Sequence, residues 1–214
     1  MSIEPFLHEW SRPRQKMIQE QLKARDITSE KVLKAFSLVP RHVFVDDTLA
    51  AKAYSDGPLP IGFGQTISQP YMVALMTQIL DPEPNDRILE IGSGCGYQSA
   101  ILAKLSAEVY SIERLKALRD KSLENLAKIG ISNVTVRLAD GRLGWPEKAP
   151  FKGILVAAYT ERIPVPLTDQ LAVGGRLVIP VGPETFQELV LVTKDASGQI
   201  HRQVISGCRF VPLV

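Results

Sequence analysis

Three glycines at alternate positions, Gly92, Gly94 and Gly96, constrain the possible folds more strongly than any other feature of the sequence. They follow a short apolar run at 87–91 that is typical of a β-strand. A segment with a helical pattern of alanine, isoleucine and leucine comes after them. Strand, glycine turn and helix in this order let the backbone come close to a nucleotide without a Cβ atom in the way. The sequence therefore predicts an α/β fold with a ligand site at the end of this strand.

The spacing of the glycines indicates which ligand such a turn could hold. Dinucleotide-binding turns need a third glycine three residues after the second, for close packing of helix against strand. Tyr97 occupies that position here, which disfavours a nicotinamide dehydrogenase. Glu113 ends the next strand-like run, within the offset of roughly 20 residues at which βαβ units place a ribose-binding carboxylate. The simpler alternatives are a tight turn without a ligand and a solvated acid at a strand end.

Composition and charge narrow the class of protein. The chain has 214 residues, of which 45% are hydrophobic and 22% charged, as in a globular domain with one sizeable core. Its net charge of +2 is spread along the chain, so we expect no nucleic-acid partner. Cys95 and Cys208 show neither a disulfide framework nor metal-ligand spacing, so no metal is expected. The start has no leader pattern and no run approaches about 18 apolar residues, which predicts a cytoplasmic protein without a membrane partner.

A second informative stretch lies at 59–72. Two glycines and two prolines are typical of a rigid, tightly turning loop, which would bring Thr66, Ile67 and Ser68 to one place. Such a loop is a common location for a functional site. The simpler interpretation is a plain helix start, with Ser68 as the N-cap and Pro70 in the first turn. That interpretation does not account for the density of special residues before Ser68.

The same stretch resembles a known family. The segment from Gly64 to Ala74 is similar to the signature of protein-L-isoaspartate O-methyltransferases. The acidic-x-Gly-x-Gly-x-Gly pattern that begins at Glu90 resembles the first motif of the wider group, the class I S-adenosylmethionine-dependent methyltransferases. Further similar segments lie at 39–45, 59–62, 89–97 and 209–213, so the resemblance runs from about residue 14 to the C-terminus.

The resemblance implies a doubly wound, mostly parallel sheet of about seven strands, of the Rossmann-like class I methyltransferase type, with helices on both faces. We expect a single domain over residues 1–214. Within it, an N-terminal helical addition would span 11–60, a cofactor-binding core 87–182 and a C-terminal antiparallel hairpin 183–214.

The activity that the resemblance implies is methyl transfer from S-adenosylmethionine to the free carboxylate of isoaspartyl residues, with S-adenosylhomocysteine as the product. The partners would be isoaspartyl-containing proteins and peptides, and the methyl ester would initiate repair through a succinimide. Because that carboxylate is ionised at neutral pH, no general base is needed. This agrees with a chain of three histidines, none of which lies in the glycine turn or at 64–72. We expect a monomer that needs no metal.

The family's motifs, carried onto this chain residue by residue, assign candidate site residues. The catalytic candidate is Ser68, whose hydroxyl could hold the substrate carboxylate in line with the methyl group. The substrate-binding candidates are Gln65, Thr66, Ile67 and Ala158. The cofactor-binding candidates are Glu90, Gly92, Ser93, Gly94, Gly96, Glu113, Arg114, Asp140 and Gly141. From the residues alone, Asp140 and Gly141 are equally consistent with a plain turn.

The sequence departs from the family's pattern at two places. Tyr159, Thr160 and Glu161 stand where relatives usually continue with alanine and proline, and a tyrosine there could narrow the space beside the methyl donor. Ala139 stands where relatives commonly have glycine. Two alternatives therefore stay open: a class I methyltransferase with another acceptor, and a cofactor-binding module without catalysis. An amino acceptor is disfavoured, because Ala158 and Tyr159 stand where amino-methylating relatives have Asn/Asp-Pro-Pro-Tyr.

Overall fold

Short helices build the N-terminal part of the chain in the computed structural model, which describes residues 4–213. The predicted domain limits at residues 1 and 214 lie outside the described residues. The elements of this part are α1 (Glu4–Glu9), α2 (Ser11–Met17) with a π-helical continuation (Ile18–Lys23), α3 (Glu30–Leu38), and two 3-10 helices (Arg41–Phe44 and Asp47–Lys52). An antiparallel hairpin of β1 (Leu59–Gly62) and β2 (Gln65–Ile67) follows, and α4 (Pro70–Leu80) leads into the main sheet.

A seven-stranded sheet forms the centre of the structure. In chain order its strands and helices are β3 (Arg87–Ile91), α5 (Tyr97–Ala103), β4 (Glu108–Glu113), α6 (Lys116–Lys128), β5 (Val134–Leu138), β6 (Phe151–Val156), α7 (Val165–Asp169), β7 (Leu171–Val181), β8 (Gln187–Lys194) and β9 (Ile200–Cys208). The order across the sheet is β5-β4-β3-β6-β7-β8-β9, parallel from β5 to β7 and antiparallel for the last two pairings. The predicted fold class, a mostly parallel sheet with flanking helices, is confirmed.

The direction in which strands are added to the sheet reverses at β3. From β3 the chain adds β4 and β5 on one side, and it then returns to add β6 and β7 on the other. In open α/β sheets, ligands bind in the crevice at such a switch point, outside the carboxyl ends of the strands. The segments after β3 and β6 meet there, since the Ala157 amide donates to the Ile91 carbonyl at 2.9 Å.

Strand β3 is buried on both faces, as expected for a parallel strand covered by helices. Ile88 belongs to one buried apolar cluster and Leu89 to another, because successive side chains point to opposite faces. The first cluster also contains Phe36 of α3 and Met76 of α4. Full burial of such a side chain contributes about 1.5–3 kcal/mol. The helices on either side of the β1–β2 hairpin therefore belong to the same core as the sheet.

The start of α4 differs from the simpler interpretation of this stretch. Ser68 is not the N-cap, because Gln69 occupies that position and no side chain caps the helix. Pro70 stands in the first turn, where its fixed φ suits a helix and its missing amide hydrogen costs nothing. The Ser68 hydroxyl is therefore not used to start the helix.

Candidate active site

A cleft of about 230 Å³ lies at the switch point of the sheet. Its walls come from the glycine turn, the end of β4, the segment after β6, the β1–β2 hairpin and the C-terminal segment. The predicted site residues that line it are Gln65, Thr66, Ile67, Ser68, Gly92, Ser93, Gly94, Glu113, Arg114, Gly141 and Ala158. The structure thus brings together the two stretches that the sequence singled out. Glu90, Gly96 and Asp140 are the predicted residues that do not line the cleft.

The three alternate glycines all adopt left-handed backbone conformations. Their φ angles are 89° at Gly92, 52° at Gly94 and 91° at Gly96, values that residues with a Cβ rarely adopt. A Cβ at Gly96 would lie 3.2 Å from the Cβ of Ser122 in α6, so this glycine lets α5 and α6 pack closely. Gly92 and Gly94 face the cleft, whereas the role of Gly96 is packing.

Backbone amides from the loops after β3 and β4 hold the Glu113 carboxylate beside the cleft. Its Oε2 accepts a hydrogen bond from the Gly94 amide at 2.9 Å. Its Oε1 accepts from the amides of Arg114 and Leu115 at 2.8 and 2.9 Å. An ionised carboxylate has about four lone-pair sites, so lone pairs remain for the hydroxyl groups of a ligand. Glu113 is therefore a fixed acceptor in the cleft wall.

Ser93 supplies an unsatisfied polar atom in the same wall. Its Oγ is buried and has no hydrogen-bond partner among the described residues. Most buried hydroxyls in proteins do have a partner. Next to Glu113 and to the open backbone at Gly92 and Gly94, this hydroxyl indicates a ligand with several polar groups, such as a nucleoside.

Glu90, a predicted cofactor-binding residue, lies behind the cleft wall and does not line the cleft. Its Oε2 accepts from the Ser111 hydroxyl of β4 at 2.6 Å and from the Ser99 hydroxyl of α5, while its Oε1 has no partner among residues 4–213. Burial, partly opposed by these hydrogen bonds and reinforced by the nearby Glu113 charge, raises the pKa of Glu90 to about 7. The side chain joins β3 to β4 and α5 beneath the glycine turn.

Asp140 is paired with Arg142 and does not line the cleft. Its carboxylate accepts from the Arg142 guanidinium at 2.7 Å and from the Arg142 amide at 2.9 Å. These hydrogen bonds hold the pKa of Asp140 below its ordinary value. Gly141 does line the cleft, and a Cβ there would overlap the Cγ2 of Ile91, so only glycine fits.

A buried arginine holds the loop that carries Ser68. The Nη2 of Arg41 donates to the Ser68 carbonyl at 2.8 Å, and its Nε donates to the Ala53 carbonyl at 2.7 Å. The guanidinium lies over the Tyr97 ring, 4.8 Å from the ring centre. One side chain thus connects the Ser68 loop, the N-terminal helices and the first residue of α5. In the sequence, Arg41 is indicated only as part of the segment 39–45 that resembles the family.

The C-terminal segment 210–213 forms a wall of the cleft to which sequence analysis gave no role. It is attached through Tyr159, whose amide donates to the Val211 carbonyl at 2.8 Å and whose carbonyl accepts from the Leu213 amide at 2.8 Å. Tyr159 itself does not line the cleft, whereas Ala158 does, so the departure at 159–161 does not narrow it. The resemblance of residues 209–213 to the family could have indicated that this segment belongs to the site. These residues were not chosen as site residues because they are mostly apolar and have no catalytic groups.

The cleft contains no imidazole that could act as a base. None of the chain's three histidines lines it, and His42 instead shares a hydrogen bond with the Tyr54 hydroxyl at 2.8 Å. Among residues 4–213, no group of three or more His, Cys, Asp or Glu side chains could hold a metal ion. In the same part of the chain, no helix has both the length and the apolar character needed to cross a membrane.

The parallel sheet, the glycine turn at its switch point and the acidic residue at the end of β4 define a class I S-adenosylmethionine-dependent methyltransferase. The free Ser93 hydroxyl, the Glu113 carboxylate and the uncovered glycine backbone fit the nucleoside part of this cofactor. Within the class, the chain belongs to the protein-L-isoaspartate(D-aspartate) O-methyltransferase family, whose model matches residues 12–214.

Relatives support this assignment over nearly the whole chain. A protein-L-isoaspartate O-methyltransferase 1 from Syntrophobacter fumaroxidans is 53% identical over 205 residues, covering 96% of this chain and 95% of that protein. A protein-L-isoaspartate O-methyltransferase from Geobacter metallireducens is 50% identical, covering 94% and 93%. A Plasmodium falciparum structure assigned to the same activity, in complex with S-adenosyl-L-homocysteine, superimposes with a TM-score of 0.82 at 30% identity, covering 93% and 97%.

Proposed function

We propose that the protein methylates the free carboxylate of isoaspartyl residues in damaged proteins and peptides, with S-adenosylmethionine as the donor. The observation that carries the proposal is the single cleft shared by the glycine turn and the Ser68 loop. The donor supplies an electrophilic methyl group on a positively charged sulfur. The task of the protein is then to hold a carboxylate oxygen in line with that methyl group.

On the cofactor side, Glu113 would accept hydrogen bonds from the ribose hydroxyl groups, and Ser93 would pair its free Oγ with a polar group of the ligand. Gly92 and Gly94 would let the backbone approach without a Cβ in the way. Arg114 lies in the same wall beside Glu113. Together these residues would fix the position of the methyl group relative to the Ser68 loop.

Glu90, Gly96 and Asp140 would act on the cofactor indirectly. Glu90 and Gly96 support the glycine turn, the first through its bonds to Ser111 and Ser99 and the second through close helix packing. Asp140 caps the 3-10 turn that begins at Gly141 and so holds that glycine in the wall. All three would change cofactor affinity through the shape of the cleft.

On the substrate side, Ser68 would donate its hydroxyl hydrogen to one carboxylate oxygen and leave the other free to attack. Thr66 and Ile67 lie on the same strand of the hairpin and line the same cleft. Because an isoaspartyl carboxylate is ionised at neutral pH, no proton has to be removed. The absence of an imidazole from the described cleft walls agrees with this chemistry. The buried Arg41 charge behind the loop would favour an anion at this place.

The methyl ester has a better leaving group than the carboxylate. A neighbouring backbone nitrogen of the substrate can then attack the ester carbonyl, so that a C–N bond forms, the methoxy group leaves as methanol with the nitrogen's proton, and a succinimide results. This step needs no further group from the protein. Hydrolysis of the succinimide would return part of the damaged residues to normal aspartyl linkages. The protein therefore has to catalyse only the methyl transfer.

The test is a methyl-transfer assay with labelled S-adenosylmethionine and two peptides that differ only in a normal or an isoaspartyl linkage. We expect a base-labile methyl ester on the isoaspartyl peptide alone. Transfer to both peptides would point to a different acceptor. Binding of S-adenosylhomocysteine without transfer to either peptide would favour a cofactor-binding module.

Several expectations from the sequence stay predictions. These are the cytoplasmic location, the monomeric state, the lack of a nucleic-acid or membrane partner, and the division into parts at 11–60, 87–182 and 183–214. Sedimentation of the purified protein at several concentrations would test the monomeric state.

A further inference from the structure

The tip of the β1–β2 hairpin has an unusual backbone for its sequence. Phe63 and Gly64 form the turn between the paired residues Gly62 and Gln65. Both have positive φ, 55° at Phe63 and 70° at Gly64. Two-residue hairpin turns with positive φ at both positions strongly favour asparagine, aspartate or glycine at the first position. A phenylalanine there is a genuine outlier, because its bulky side chain disfavours the left-handed region.

This strain is not compensated by burial of the aromatic ring. Phe63 is 66% exposed, so most of its apolar surface remains in water. A non-glycine residue in the left-handed region is strained and persists only where the surroundings hold it. The Phe63 backbone therefore lowers stability, and its largely exposed ring contributes little burial to offset that cost. Strained residues of this kind cluster at ligand-binding sites.

The rest of the hairpin is firmly attached, and so the position of Phe63 is set by the fold. Ile67 of β2 is buried in the main core. Ile61 of β1 packs on the core and approaches the glycine turn, where a Cβ on Gly94 would lie 3.2 Å from the Ile61 Cδ1. Phe63 itself lines the cleft that also contains Ser68.

We propose that Phe63 is a specificity residue that packs against an apolar side chain next to the isoaspartyl residue of the substrate. The inference rests on the proposed function and deepens it. An isoaspartyl peptide whose carboxylate reaches Ser68 has to cross the rim of the cleft, and Phe63 is the large, exposed aromatic residue on that rim. The ring would become buried only when such a peptide binds, which supplies the apolar contact that the free protein lacks.

The experiment compares two isoaspartyl peptides, one with leucine and one with serine on both sides of the isoaspartyl residue. Each is assayed with the wild-type protein, with Phe63→Asn and with Phe63→Tyr. Asparagine suits the first position of this turn, so the hairpin keeps its shape while the ring is removed. Phe186→Asn is the matched control, because Phe186 is 60% exposed but does not line the cleft.

We expect the wild-type protein to prefer the leucine peptide. Phe63→Asn should lower kcat/KM for that peptide by about tenfold, equivalent to about 1.4 kcal/mol. The serine peptide should change by less than about twofold, so the preference is lost. Phe63→Tyr should retain the preference, and Phe186→Asn should change neither value. The melting temperature of Phe63→Asn should equal or exceed that of the wild type, because the strain is relieved.

Three results would overturn the inference. The first is an equal loss for both peptides, which would make Phe63 a support of the hairpin. The second is weaker binding of S-adenosylhomocysteine to Phe63→Asn in calorimetry, which would assign the ring to the cofactor. The third is an unchanged leucine preference. Failure of the wild-type protein to methylate either peptide is a distinct result, since it would overturn the proposed function and this inference with it.

Discussion

The buried Glu90 carboxylate should make the stability of this protein depend on pH in a direction opposite to that of most acidic groups. Its pKa is about 7 in the folded protein, against an ordinary value of 4.5. At about 1.36 kcal/mol per pKa unit, this difference of about 2.5 corresponds to about 3.4 kcal/mol. Between these two pH values the folded state holds a proton that the unfolded chain has released. Folding stability contributed by Glu90 is therefore lost as the pH rises from about 4.5 to about 7.

Glu90→Gln removes this titration while retaining the shape of the side chain and an oxygen that can accept from Ser111. The free energy of unfolding of wild type and variant would be measured by urea titration at pH 5, 6, 7 and 8. Relative to the wild type, the variant should gain about 2.5 kcal/mol between the first and the last pH, because part of the titration is already complete at pH 5. Groups other than Glu90 titrate in both proteins and cancel in the difference.

Glu124→Gln is the matched control, since Glu124 is exposed on α6. This substitution should leave the pH dependence that Glu90 contributes unchanged, because it does not touch the buried carboxylate. A Glu90→Gln difference that is equally flat across this range would show that Glu90 is not protonated in the folded protein. The assigned burial and hydrogen bonding would then be wrong.

Three further predictions concern the cleft. Ser68→Ala should lower kcat by about a hundredfold with S-adenosylhomocysteine affinity unchanged in calorimetry, and an unchanged rate would remove Ser68 from the mechanism. Gly94→Val should abolish binding of S-adenosylhomocysteine, because a side chain there blocks the close approach of the backbone. The control is Gly198→Val, a left-handed glycine that does not line the cleft, and this variant should bind S-adenosylhomocysteine normally. Wild-type affinity in Gly94→Val would contradict the placement of the cofactor. Arg41→Lys should lower the free energy of unfolding in urea by about 2–3 kcal/mol, because lysine cannot donate to both the Ala53 and the Ser68 carbonyl from one rigid plane. A loss below about 0.5 kcal/mol would show that these two hydrogen bonds do not hold the Ser68 loop.

The parts of the site that follow from backbone conformation could be predicted from the sequence. Gly92 and Gly94 indicate a left-handed turn, because few other residues adopt this conformation. The position of Glu113 at the end of the next strand follows from the regular length of a βαβ unit. The mostly parallel sheet that the family resemblance implies was likewise confirmed.

The features of the site that could not be predicted from the sequence depend on tertiary contacts. Glu90 has the same local pattern whether its carboxylate faces the ligand or two serines behind the strand, and only the packing of α5 and β4 decides this. Ser68 has cap chemistry, yet Gln69 is the N-cap. The apolar wall at 210–213 reaches the cleft through pairing with Tyr159, a long-range contact without a local signature.

The three backbone amides around Glu113 have a consequence for how the cofactor associates. A free glutamate side chain loses up to about 1.5–2 kcal/mol of rotational entropy when it is fixed in one geometry. Here the amides of Gly94, Arg114 and Leu115 already fix it in the protein without a ligand. The entropy is therefore lost when the protein folds, and its loss does not weaken the binding of the cofactor. An arriving ribose would meet a receptor that is already in its bound shape, and recognition at this point would be close to lock-and-key.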